Sequence, residues 1–207
     1  MRDLDKALAD IVLIRNQIAA GTTFRGYGPM ALAATGVLAL ITATAQTLWF
    51  ADANEQPLVF LAGWVITALV AIGIIGAEML GRSRRLHSGL ADVMIYNAIQ
   101  QFLPSGAVGA LLAAVLIKFA PQEIWMLPGL WQVLVSVGIF ASVHALPRGI
   151  AFAGAWYLLS GLTVLALASQ DHLLSTWHMG IPFAGGQFLT AAIMYYAFGK
   201  SDDEDQY

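Results

Sequence analysis

The chain has 207 residues, 58% of them hydrophobic and 11% charged, with a mean hydropathy of +0.70, no cysteine and a formal net charge of −3. A soluble domain carries about 25% charged residues, so the deficit points to a protein that lives in hydrocarbon. The lack of cysteine excludes disulfides, thiolate metal sites and cysteine nucleophiles, and no basic stretch suits nucleic acid.

Residues 1–27 read as an amphipathic cytoplasmic segment. Leu4, Ala7, Leu8, Ile11, Ile14 and Ile18 form one stripe, with Asp5, Lys6, Asp10, Asn16 and Gln17 mostly opposite. The run Ile11 to Ile14 is too short for the apolar region of a secretory signal. Six apolar runs follow, at 29–50, 57–80, 104–120, 128–146, 147–168 and 182–199. They are headed by Pro29, Pro57, Pro104, Pro128, Pro147 and Pro182; proline is tolerated in the first helical turn, where its missing N–H has no helical partner anyway. A helix of roughly 20 residues crosses a hydrocarbon core of about 30 Å. The expected fold is therefore all-α: a polytopic integral membrane protein, with a six-transmembrane-helix bundle over 28–199 and an acidic cytoplasmic tail over 200–207.

Basic residues set the expected orientation. Arg2, Lys6, Arg15, Arg25, Arg82, Arg84, Arg85, Arg148 and Lys200 fall on one side, and Lys118 alone on the other. That split places both termini in the cytoplasm of a plasma (inner) membrane. Trp49, Trp125, Trp131 and Trp177 fall near the outer boundary, where an aromatic belt belongs.

The segment 91–103 reads either as an interfacial helix or as the start of the third span kinked at Pro104. In the second case the amides of Asn97, Gln100 and Gln101, which share a helix face, line a polar cytoplasmic cavity. Glu78 is the one acid inside a span, and Arg82 four residues on faces the same way, as an end-of-helix ion pair or a ligand site. His144 and Arg148 stand in the turn between the fourth and fifth spans. Gly185-Gly186 marks a soft spot or a close approach in the sixth. Small residues at helical spacing (Gly106 with Ala110, Gly149 with Ala153, Ala151 with Ala155) suit close helix packing or self-association. Thr35, Thr42 and Gln46 share a face of the first span and suit interhelical hydrogen bonds.

The order of spans allows a 3+3 inverted repeat, the architecture of many carriers. Phe60-Leu61-Ala62-Gly63-Trp64 in span two parallels Phe152-Ala153-Gly154-Ala155-Trp156 in span five. No ionisable group sits at mid-depth, which argues against a proton-driven pump. The histidines are split between the two sides, so neither haem nor a structural metal is expected, and no cofactor is assigned.

Ser160-Gly161 and His178-x-Gly180 resemble, over a handful of residues, the serine and histidine elements of rhomboid proteases, which implies an intramembrane hydrolase with Ser160 as nucleophile and His178 as base. The chain departs from that family: the serine stands in Leu158-Leu159-Ser160-Gly161 inside the fifth span rather than in GxSG at the start of the fourth. The HxxxN element of the second span is missing. A rise of about 1.5 Å per residue also sets Ser160 some 10 Å below the surface where His178 enters.

The functional expectation is a non-catalytic, membrane-embedded binding, scaffold or accessory protein whose partners are membrane lipids, another copy of itself or a second membrane protein. The alternatives are a small transporter or channel for a neutral or amphipathic solute, and a lipid-interface enzyme using Glu78, His144 and Arg148.

Overall fold

Six long helices and one 3₁₀ turn follow one another along the chain, and no strand occurs among the described residues. The computed structural model describes residues 28–49, 53–86, 91–143, 146–147 and 149–204. The amphipathic segment expected over 1–27 lies outside them. The helices are α1 (Pro29–Trp49), α2 (Pro57–Leu86), α3 (Ala91–Phe119), α4 (Leu127–Ala141), α5 (Ile150–Asp171) and α6 (Trp177–Glu204), with the 3₁₀ turn Pro121–Met126 leading into α4. Four segments are long and apolar enough to cross a membrane: Pro29–Trp49, Pro57–Gly81, Pro121–Ala141 and Ile150–Asp171. Within α3 the apolar stretch is shorter, Leu103–Phe119.

Three prolines open α-helices as the sequence suggests. Pro29 and Pro57 are the first residues of α1 and α2, and Pro128 lies in the first turn of α4. The chain before each still supplies the first acceptor: Leu32 N–H donates to Gly28 O at 3.2 Å and Phe60 N–H to Gln56 O at 3.0 Å.

Pro104 and Pro182 correct the expectation, because both lie inside helices. The segment 91–103 is thus the first half of α3 and not a separate helix. Likewise α6 begins at Trp177, a full turn before Pro182. A proline in a helix interior leaves the carbonyl four residues earlier without its donor. For Pro182 that carbonyl belongs to His178, and it receives the side-chain amide of Gln132 at 2.7 Å instead. A tertiary hydrogen bond thereby lets the helix run through the proline.

The fourth and fifth segments also shift. Helix α4 stops at Ala141, where the Ser142 hydroxyl donates to Gly138 O at 2.9 Å. Helix α5 starts three residues after Pro147, whose carbonyl accepts from Ile150 N–H at 2.9 Å. It ends at His172, which takes the left-handed conformation (φ 55°) and donates its N–H to Ala168 O at 2.8 Å.

Each helix packs on the next in chain order and α6 returns to α1, so the described bundle closes as a ring, with α4 also reaching α6. The α4–α5 and α1–α6 pairs are the most extensive. At the α4–α5 crossing the backbones nearly touch: a Cβ on Gly161 would stand 2.8 Å from Gly129 O, and one on Gly129 would stand 2.8 Å from Gly161 O. These glycines, rather than Gly106 with Ala110, bring two helices together; Gly106 has open space around it.

Two apolar clusters fill the ring. Leu32, Met79, Ile139, Ile150, Tyr157 and Met194 form one end, and Ala43, Phe60, Trp64, Trp125, Leu127 and Met179 form the other. Phe183 touches both. Neutral side chains tie the helices together: Thr42 and Thr67 share a hydrogen bond of 2.7 Å, and Gln46 donates to Phe60 O at 3.0 Å. In the same way Thr47 meets Thr176 at 2.9 Å, and Trp131 donates to Gly109 O at 3.1 Å. Of the four tryptophans expected in a belt, Trp125 is buried, with its ring edge-on to His172 at 4.8 Å, while Trp49 is exposed.

Candidate functional site

The residues singled out by sequence are not gathered into one place among the described residues. Glu78 is half-buried on α2, and its carboxylate lies against Gly28, where a Cβ would collide with Oε1. A negative charge beside the first turn of α1 is favourable, because the helix dipole is positive there. Gln100 is exposed on α3 and donates to the exposed Tyr96 hydroxyl at 2.9 Å, a local pair one turn apart. The side chains of Arg82, Asn97 and Gln101, and all of His144 and Arg148, lie outside the described residues. No group of three or more His, Asp or Glu suited to a metal ion occurs among the described residues.

The structure assembles a different site between α5 and α6. An open groove of about 390 Å³ is lined by Trp156, Leu159, Ser160, Thr163 and Val164 of α5, and by Trp177, His178, Ile181 and Pro182 of α6. Its volume falls within the range of about 300–1,000 Å³ found for small-molecule sites. Periodicity explains the wall: residues 156, 160 and 163 recur at helical spacing, as do 177, 178, 181 and 182, so each set presents one face. That spacing was the signal available in the sequence. Which two faces meet is a tertiary fact.

Close packing builds the groove. Gly185-Gly186 proves to be a close approach: a Cβ on Gly185 would press on the Trp156 indole at 2.6 Å, and one on Gly186 would collide with the Tyr157 ring. Trp156 Nε1 donates to Pro182 O at 2.9 Å. Behind the groove stands Gln132, fully buried, with its amide nitrogen shared between Pro128 O at 3.0 Å and His178 O at 2.7 Å. Helix α4 thus fixes the backbone of His178 from the inside.

The groove is electrically neutral, with no Asp, Glu, Lys or Arg in its wall. Ser160 and His178 do share this groove, although rise along the helix set them apart. The Ser160 hydroxyl donates to Tyr157 O at 3.3 Å, and no hydrogen bond joins it to His178 among the described residues. A serine nucleophile needs a base within hydrogen-bond reach, and here its proton is directed to a backbone carbonyl. Comparison of the chain with protein-family models, with curated proteins and with solved structures yields no significant match. The groove is therefore read from its own chemistry: without charged side chains, largely apolar, lined by two tryptophans and open to the outside.

Proposed function

We propose that this chain is a multi-pass protein of the plasma (inner) membrane, with six spans and both termini cytoplasmic, and that its role is non-catalytic binding within the bilayer. One observation carries the reading. In the most apolar stretch of α2 only 17% of the residues are buried, and Val65, Ile66, Leu69, Val70 and Ile72 are exposed. The same holds for Leu111 and Val115 on α3 and for Leu159, Leu162 and Leu167 on α5. Water-soluble monomers rarely expose apolar patches beyond a few hundred Å². An exterior this apolar around a polar-laced interior suits lipid as the surrounding medium.

The cysteine-free chain makes topology directly testable. Single cysteines at Glu55, before α2, and at Ser201, near the end of α6, are labelled in intact cells with a membrane-impermeant maleimide. The reading predicts labelling at 55 and protection at 201 until the membrane is opened. Equal labelling of both sites in intact cells contradicts it.

A carrier for neutral solutes on a 3+3 inverted repeat is the second reading. It is favoured by four buried polar atoms without hydrogen-bond partners among the described residues: Gln46 Oε1, Trp64 Nε1, Gln132 Oε1 and Ser136 Oγ. Glycerol entry into proteoliposomes faster than into protein-free liposomes supports this reading; equal rates favour the binding protein.

A further inference from the structure

We propose that the α5–α6 groove is a binding site for a neutral lipid whose head group carries carbonyl acceptors, its hydrocarbon chain following the apolar wall. This rests on the membrane reading above and names the ligand class of the same site. Three observations select the class. First, no charged side chain lines the wall, and an ionised phosphate or ammonium brought into such a groove would lose its hydration with nothing to replace it. Second, the polar groups already committed differ from those left over. Trp156 Nε1–H is spent on Pro182 O and the Ser160 hydroxyl on Tyr157 O. The Thr163 hydroxyl, the Trp177 Nε1–H and the His178 ring line the groove without a hydrogen-bond partner among the described residues. Trp177 can only donate, threonine can donate, and an imidazole always has at least one N–H to give. A ligand bearing two carbonyl oxygens complements that set, and a hydroxyl-only ligand uses it less fully. Third, Leu159 and Ile181 on the wall are exposed apolar residues and Leu162 stands beside them, so the opening is continuous with the apolar exterior. A chain-bearing ligand enters from the side, with Trp156 and Trp177 offering flat aromatic surfaces.

A tailed quinone, with two ring carbonyls and a flat ring to lie against an indole, is the ligand that fits; 1-oleoylglycerol, with one carbonyl and two hydroxyls, is the neutral comparator. The full-length protein in detergent is titrated with a decyl-chain benzoquinone, with 1-oleoylglycerol and, as the charged comparator, with dioleoylphosphatidylglycerol, reading the shift in thermal unfolding. The double variant Thr163→Val/Trp177→Phe keeps a branched and an aromatic side chain at the two positions and deletes two donors. Both positions are exposed, so the variant folds; Val108→Ala on the far side of the bundle is the control. Saturable binding of the quinone, weakened about tenfold by the double variant and unchanged by the control, is expected. Lack of saturation by the quinone, equal affinity for 1-oleoylglycerol or phosphatidylglycerol, or binding indifferent to the double variant each overturns the assignment. The maleimide pattern is independent of this titration, so a failed groove and a failed topology are distinguishable.

Discussion

Gln132 is the residue on which the α4–α6 contact turns. It is fully buried, and its nitrogen donates to the carbonyl that Pro182 leaves without a helical donor. Interhelical hydrogen bonds among apolar helices contribute about 0.6–2 kcal/mol each. Gln132→Leu is therefore expected to cost about 1–2 kcal/mol of stability, measured as unfolding in detergent. In a Pro182→Ala background the new backbone N–H serves His178 O, and the cost of Gln132→Leu falls by about half; strict additivity in this double-mutant cycle contradicts the surrogate role. A glutamine within the apolar run 128–146 is plain in the sequence. Its purpose is not, because sequence does not reveal that a proline six residues into α6 lies opposite an amide on α4.

His172 carries a prediction of its own. The left-handed φ of 55° at His172 costs a side-chain-bearing residue roughly 1–2 kcal/mol, and most where the side chain is β-branched. His172→Val is expected to lower the midpoint of thermal unfolding while His172→Gly leaves it unchanged or higher; the reverse order contradicts the C-cap assignment.

At the scale of helices, spacing is set by where backbones are allowed to meet. Gly161→Ala places a methyl group 2.8 Å from the Gly129 carbonyl, a backbone atom that cannot rotate away, so α4 and α5 must move apart. Overpacking of this kind costs about 1–3 kcal/mol. Gly106→Ala meets nothing within 4 Å and gains from the better helix propensity of alanine, by up to about 1 kcal/mol. Unfolding measured for both variants decides whether contact or composition governs; equal effects contradict the packing account. The small-residue spacing at Gly106 and Ala110 was as clear in the sequence as that of any pair, yet both residues are exposed. Periodicity reports that a face exists, and only the arrangement of helices reports what it meets. Pro29 and Pro57 were readable as helix starts because their missing donors need no partner there. Pro182 escaped the same rule because an interior proline is tolerated when another group serves the stranded carbonyl, here Gln132.

For the molecule as a whole, hydropathy made the all-α class and the order of helices legible. The groove was not, since its two walls are separated in the chain and its neutral lining carries no motif. The segments that drew attention in the sequence, Glu78 to Arg82 and Asn97 to Gln101, bear the charge and amides that stand out against an apolar background. The groove draws its character from ordinary residues such as Thr163 and Ile181, brought opposite Trp177 and Trp156. The account depends on the claim that the apolar exterior faces lipid. Leu69 lies near the middle of the Pro57–Gly81 stretch and is 62% exposed. A nitroxide attached at Leu69→Cys in proteoliposomes measures that surroundings directly, through its relative collision rates with oxygen and with a water-soluble nickel chelate. The account predicts oxygen collisions far in excess of nickel, as in the centre of a bilayer; a nickel-dominated response at this position contradicts it.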